Sequence, residues 1–262
     1  MKKIFLAIPL LFFIMNIAYT QDLSLYTKHL FIQKGDTMPY RLLLPLNFDV
    51  HKKYPLILFL HGSGERGNDN EKQLVHGGDL FLKDSIRENY PAIVVFPQCA
   101  AGDSWANTTS HYDSVAKKRI REFGADDKPT KDMALLLGLL KNLDHTYSLD
   151  KNKMYVGGLS MGGMGTFELV FRKPKTFAAA FAICGGANTA TAKKMKKTAW
   201  WIFHGLKDNT VDPQLSKDMA DALKQAGAEV RLTLYPEDGH NSWDDAFKEP
   251  DLFEWIFSHH KK

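Results

Sequence analysis

Met154-Tyr155-Val156-Gly157-Gly158-Leu159-Ser160-Met161-Gly162-Gly163-Met164-Gly165 is the stretch whose reading decides the fold. Lys153 to Gly157 is a short, near-continuous apolar run of the kind a buried strand leaves, and Gly163-Met164-Gly165 opens a helix. Between them stands Gly158-Leu159-Ser160-Met161-Gly162, a G-x-S-x-G pattern in the strand, sharp turn, helix context that gives the pattern its meaning. Such a turn forces the serine into a strained backbone conformation with its hydroxyl exposed, and glycine on either side lets strand and helix pass closely. It also aims the backbone N–H of Met161 at the space before the hydroxyl. A bare pentapeptide arises by chance often enough that its partners must decide.

A serine hydroxyl is a poor nucleophile until a base removes its proton, and the base needs a third group to fix its tautomer. On a strand–turn–helix scaffold these follow in the chain order serine, acid, histidine. Downstream of Ser160, Asp208 stands in His204-Gly205-Leu206-Lys207-Asp208-Asn209-Thr210-Val211, directly after the apolar run Ala199 to Phe203. Asp212 and Asp238 are the competing carboxylates. His240 follows the run Val230 to Tyr235 and is the histidine between the acid loop and the last helix. His204 precedes the acid and ends a strand, so it reads as a buried structural histidine.

Upstream, His61-Gly62-Ser63-Gly64-Glu65-Arg66-Gly67 follows the run Tyr54 to Leu60. Its glycines let backbone approach a ligand, and the N–H of Ser63 with that of Met161 would make a two-donor oxyanion hole. The Gly-Lys-Ser/Thr ending of a phosphate loop is absent, which discounts nucleotide binding. Trp105, Glu65 and His76 are candidate substrate contacts, each with an equally simple alternative: packing for Trp105, a solvated charge for Glu65, a turn or core position for His76.

Working outward, Tyr26 to Ile32 and Met38 to Leu46 read as strands joined at Lys34-Gly35-Asp36, an antiparallel start. Tyr54 to Leu60, Ala92 to Phe96, Lys153 to Gly157, Phe177 to Cys184, Ala199 to Phe203 and Val230 to Tyr235 read as strands of a parallel sheet covered on both faces. Helices are expected at Met133 to Tyr147, Pro213 to Gln225 and Asp251 to His259. The class is α/β, a mostly parallel sheet with an antiparallel N-terminal start and helices on both faces. Ala100 to Lys128 shows no convincing period and reads as a long loop or small helical excursion near the carboxyl edge.

Taken together, the segments Leu60 to Asn70, Gln73-Leu74-Val75-His76-Gly77-Gly78, Pro97-Gln98-Cys99 with Trp105, Tyr155 to Gly163 and Ile183-Cys184-Gly185-Gly186 carry a resemblance. The chain resembles bacterial carboxylesterase-like α/β-hydrolases, the group labelled predicted peptidases or phospholipase/carboxylesterases. More distantly it is similar to feruloyl and acetylxylan esterases and to the catalytic domain of prolyl oligopeptidases. The likeness runs from about Tyr40 to the C-terminus. It implies the α/β-hydrolase fold, a triad of Ser160, Asp208 and His240, and an oxyanion hole at Ser63 and Met161. Related dienelactone hydrolases use a cysteine nucleophile where this chain has Ser160.

Of 262 residues, 44% are hydrophobic and 24% charged, the range of one globular domain. Lys2-Lys3 before the apolar run Ile4 to Ile17 and then Ala18-Tyr19-Thr20 reads as a signal peptide over residues 1–20, leaving a catalytic domain over 21–262 and a secreted or periplasmic location. The remainder carries 32 basic and 30 acidic residues, which supports neither a nucleic-acid nor a membrane partner after signal removal. Cys99 and Cys184 either pair, as export permits, or are both free. The expectation is a metal-independent, cofactor-free serine carboxylesterase acting on small-molecule or oligosaccharide esters, with acetyl or hydroxycinnamoyl acyl groups. A prolyl-oligopeptidase-like peptidase and a non-catalytic binding protein on the same fold are the alternatives.

Overall fold

Lys34 and Gly35 both hold positive φ, 52° and 87°, so the first two strands are joined by a two-residue turn of the type that matches strand twist. The turn centre is thus Lys34-Gly35, the first two residues of the expected Lys34-Gly35-Asp36 junction. The computed structural model describes residues 22–115, 117–124 and 128–261; the signal-peptide reading of residues 1–20 lies outside them. β1 (Thr27–Gln33) and β2 (Asp36–Leu43) form the antiparallel start. Then follow β3 (Tyr54–Leu60), α1 (Asp84–Asn89), β4 (Ile93–Pro97), β5 (Thr108–Asp113), β6 (Lys118–Phe123), α2 (Lys131–Thr146), β7 (Leu149–Leu159) and α3 (Met161–Arg172). The chain closes with β8 (Ala179–Ile183), α4 (Ala192–Met195), β9 (Ala199–Gly205), α5 (Pro213–Gln225), β10 (Val230–Tyr235), α6 (Trp243–Ala246) and α7 (Leu252–Ser258).

Eight strands make the main sheet in the order β1-β2-β4-β3-β7-β8-β9-β10. β2 runs antiparallel to both β1 and β4, and every later pairing is parallel. Successive residues of β3 show why its run is apolar throughout. Leu56, Leu58 and Leu60 enter the core beneath α2, α3 and α5, beside Leu136, Phe167 and Met219. Ile57 and Phe59 enter the opposite core, with Phe81, Phe253 and Ile256. A strand covered on both faces has no polar alternation to show. The same split separates Trp200 and Ile202 from Trp201 and Phe203 on β9.

Ala100 to Lys128 departs from the expected loop or helical excursion: β5 and β6 pair as a separate antiparallel hairpin. Its strand residues are half-buried or exposed where described, so the hairpin leaves no hydrophobic period for sequence reading to detect. Cys99 and Cys184 are both free and buried, so they do not form a disulfide. No helix among the described residues is long and apolar enough to cross a membrane.

The carboxyl ends of β3, β7, β9 and β10 lead to Ser63, Ser160, Asp208 and His240, so one edge of the sheet receives all four. Close approach of α3 to β3 sets that edge. A Cβ on Gly162 would overlap the carbonyl oxygens of Leu60 and His61, both backbone atoms of a central strand and its exit. Gly162→Ala is therefore expected to destabilise the fold by about 3 kcal/mol or more. Gly102→Ala, where a Cβ meets nothing within 4 Å, should stay within about 0.5 kcal/mol of wild type. Urea unfolding of the two variants checks both values.

Candidate active site

Ser160 sits between the last residue of β7 and the first of α3, at φ 53° and ψ −116°. That conformation is strained for a residue with a Cβ, and it persists because the flanks leave no alternative. Ser160 N–H donates to the Ile183 carbonyl at 2.8 Å, and Met164 N–H donates to the Ser160 carbonyl at 3.0 Å. A Cβ on Gly158 would strike the Gly162 backbone. The helix thus begins at Met161, two residues before the Gly163 start expected from sequence, because the turn is tight enough for helical geometry to resume at once.

The Ser160 hydroxyl lies 2.9 Å from His240 Nε2, and His240 Nδ1 lies 2.7 Å from Asp208 Oδ2. Asp208 is the carboxylate on that imidazole. Asp212, the competing acid, caps α5 by accepting from Gln214 N–H at 2.9 Å. Asp208 is buried, which works against its charge. Hydrogen bonds from His204, His240 and the N–H groups of Val211 and Thr210 outweigh burial and hold the carboxyl well below the usual carboxylate range. Oδ1 takes Thr210 N–H at 2.8 Å and Val211 N–H at 2.9 Å, so both oxygens are oriented. On its other side the His240 ring meets Trp243 edge to face, centroids 5.5 Å apart at 84°.

Ser63 and Met161 line one cleft with Ser160 and His240, a volume of about 540 Å³. Each is the first residue of a helical turn, Ser63 of a short 3-10 turn and Met161 of α3. N–H groups at that position have no acceptor within their own helix. The expected substrate contacts fall elsewhere. Trp105 is 0% exposed, donates from Nε1 to the His61 carbonyl at 3.1 Å, and its Cβ packs where a side chain on Gly165 would stand. Its burial agrees with the packing alternative of the two readings, and it is not among the residues lining the cleft over Ser160. Glu65 and His76 lie together, Oε1 to Nε2 at 3.7 Å. His76 lines a neighbouring cleft with Trp243 and Phe247.

Two histidines have roles that sequence reading missed. His61 is buried; its Nε2 accepts from Cys99 N–H at 2.9 Å, so the ring proton is on Nδ1, which donates to the Gly62 carbonyl at 2.6 Å. It braces the Ser63 turn against the segment leaving β4. His204, buried as expected, also places Nε2 3.2 Å from Asp208 Oδ2 and 3.0 Å from the Val211 carbonyl, with Nδ1 2.7 Å from Ser216 Oγ. Both belong to His-Gly pairs at the carboxyl end of an apolar strand, which is the sequence signal that could have grouped them.

Cys184, Asp208 and His240 each place one potential ligand atom within 4.8 Å of the others. Burial first, and then the charge of Asp208, push the Cys184 thiol up. Asp208 and His240 are already engaged with each other. Both His240 ring nitrogens and one Asp208 oxygen are thus committed to partners within the protein.

A model of the family described as Phospholipase/Carboxylesterase matches residues 49–253. The chain belongs to the phospholipase/carboxylesterase family. Among this family member's relatives is a probable feruloyl esterase C of Aspergillus flavus, 24% identical over 177 residues that cover 68% of this chain and 57% of that protein. A bifunctional acetylxylan esterase/xylanase of Neocallimastix patriciarum is 25% identical over 160 residues, 56% of this chain and 24% of the other. The crystal structure of a thermostable esterase superposes with a TM-score of 0.81 at 30% identity, covering 91% of this chain and 64% of that one. The chain thus spans about half the length of the first relative and a quarter of the second.

Burial brings the ordinary His61 value of 6.5 down to about 4, while its hydrogen bond to Gly62 opposes the shift and the Arg66 charge reinforces it. Between those values the unfolded chain binds a proton here that the native chain refuses. Native stability should therefore fall as pH drops from about 6.5 to 4, by up to about 3 kcal/mol from this residue. Urea unfolding at pH 7 and pH 4.5, with the His61 ring followed by NMR, checks the effect; a ring that becomes charged near pH 6.5 in the native state contradicts it.

Proposed function

We propose that this chain is an exported serine carboxylesterase that hydrolyses short-chain or carbohydrate-linked esters through an acyl-enzyme. The observation that carries the reading is the pair of hydrogen bonds from Ser160 Oγ to His240 Nε2 at 2.9 Å and from His240 Nδ1 to Asp208 Oδ2 at 2.7 Å. They open on a cleft where substrate can reach the hydroxyl. Ser160 Oγ attacks the ester carbonyl as its proton passes to His240 Nε2, and the carbonyl π pair moves onto oxygen. The N–H groups of Ser63 and Met161 hold that oxyanion. Asp208 keeps the imidazole in the Nδ1–H tautomer and offsets the charge it gains. The tetrahedral adduct collapses, the C–O bond to the alcohol breaks, and the alcohol leaves with the proton from His240. Water, deprotonated by the same imidazole, then cleaves the acyl-enzyme and returns the serine.

The lining of the cleft supports a small acyl group. Among the described residues, Met161, Met164 and Ala106 are its apolar walls, and apart from Gly102 the rest are hydroxyl, amide, imidazole and charged groups, with no Phe, Tyr or Trp ring among them. An acetyl group fits such a wall better than a hydroxycinnamoyl group, whose ring favours an aromatic partner. The hydroxyls and amides of Ser104, Asn107, Thr108 and Thr130 offer hydrogen bonds to a sugar. Export rests on the Lys2-Lys3 and Ile4 to Ile17 pattern, and mass analysis of the exported protein should find a mature chain beginning near Gln21.

Ser160→Ala should abolish hydrolysis of 4-nitrophenyl acetate while leaving unfolding nearly unchanged, and a serine-directed phosphonate should label the Ser160 peptide of the wild type alone. Asp208→Asn should lower kcat by about three to four orders of magnitude, since the amide favours the wrong histidine tautomer. Asp212→Asn, which keeps an α5 cap, should lose less than tenfold. Comparison of kcat/KM among acetylated xylo-oligosaccharides, methyl ferulate, a long-chain ester and a prolyl peptide tests the substrate class. A tenfold win for the long-chain ester or the peptide would remove it.

A further inference from the structure

The cleft over Ser160 contains a guanidinium that forms no ion pair among the described residues. Arg66 stands three residues after Ser63 and lines the cleft with Ser160 and His240. Two neutral acceptors hold it: Nε donates to the Ser63 carbonyl at 3.0 Å, and Nη1 donates to the Asp103 carbonyl at 3.2 Å. Carbonyl oxygens orient the planar fork without neutralising it. A guanidinium has five N–H donors, so donors remain after these two bonds.

The acids nearby are occupied. Both carboxylate oxygens of Asp103, which also lines the cleft, accept backbone N–H groups, Oδ1 from Ser104 and Oδ2 from Asp132, each at 2.8 Å. Glu65, the neighbour of Arg66 in sequence, lies against His76. Arg121 on β6 also lines the cleft and is engaged in contacts of its own. A fixed guanidinium with no ion-pair partner among the described residues, in a site that excludes part of the solvent, binds a carboxylate more strongly than it would in open water.

We propose that Arg66 is a specificity residue that binds a carboxylate carried by the substrate, so that this cleft selects anionic esters over neutral ones. The proposal rests on the serine-esterase reading and deepens it. The carboxylate can belong to the acyl part, as in a dicarboxylic monoester, or to the alcohol part, as in an acylated uronic acid. Recognition is the same in both: N–H donors on a fixed fork meeting two carboxylate oxygens.

The experiment measures kcat/KM in two matched pairs by chromatography of the released acid. Monoethyl succinate against ethyl pentanoate tests the acyl side, and acetylated glucuronic acid against acetylated glucose tests the alcohol side. In at least one pair the anionic ester should be preferred by about tenfold or more at low ionic strength, the scale of one charge-assisted hydrogen bond. Added salt should shrink the ratio. Arg66→Gln should bring it close to one, and Arg66→Lys should keep part of it. Because each ratio is read within one enzyme sample, a loss of folded protein cancels. Ratios near one for both pairs in the wild type, or a preference that survives Arg66→Gln, overturn the proposal. So does an equal loss on both members of a pair, which leaves the preference where it was in the wild type. If no ester is hydrolysed, 4-nitrophenyl acetate included, the esterase reading itself falls and this inference with it.

Discussion

Ser160 occupies a left-handed backbone conformation, φ 53°, and the geometry around it depends on that residue staying there. An L-residue leaves such a well unless neighbouring structure over-determines it. Here the Ile183 carbonyl captures its N–H, and α3 begins at the next residue. Gly162 lets α3 lie directly against the Leu60 backbone, where a Cβ would clash. Relaxing Ser160 would require separating α3 from β3 and β8, and so opening the core beneath α3. Strain at one residue is thereby balanced by the packing of a whole sheet face.

The turn after β3 is held by a different device. Peptide groups that face a ligand cannot also be tied into a ladder, so their support must come from behind. His61 supplies it as a neutral ring that accepts from Cys99 and donates to Gly62, and Trp105 secures the His61 carbonyl. Burial keeps that imidazole uncharged, and a neutral imidazole is the form in which one nitrogen accepts while the other donates. The same loop continues to Arg66, whose fork is oriented by the Ser63 carbonyl. Backbone support, the Ser63 N–H at the cleft and a fixed cation thus share one seven-residue segment.

At the far side of the cleft, Asp208 is shared. His240 and His204 both reach Oδ2, while two backbone N–H groups occupy Oδ1. A carboxylate with every lone-pair direction taken has little freedom to rotate away from His240 when substrate arrives. That arrangement also explains how a buried charge is tolerated, since each donor replaces part of the hydration lost on burial.

How much of this was legible from the chain alone follows from which interactions are local. Strands covered on both faces announce themselves as unbroken apolar runs, and β3 begins and ends where its run does, whereas β10, at the sheet edge, carries Arg231 and Thr233 and is only half-buried. Ser160, Asp208 and His240 were legible because each must follow a strand at the same sheet edge, a rule of order along the chain. The β5–β6 hairpin was not, because its strands bury neither face well enough to impose a period. Trp105 illustrates the other limit. An aromatic residue in a long connecting segment reads as a ligand platform, yet it is wholly buried against α3 and the His61 carbonyl. Sequence order determined which strands carry the reactive groups. Only the tertiary structure decided which side chains line the cleft, because burial and unpaired charge arise from segments distant in the chain that meet in space.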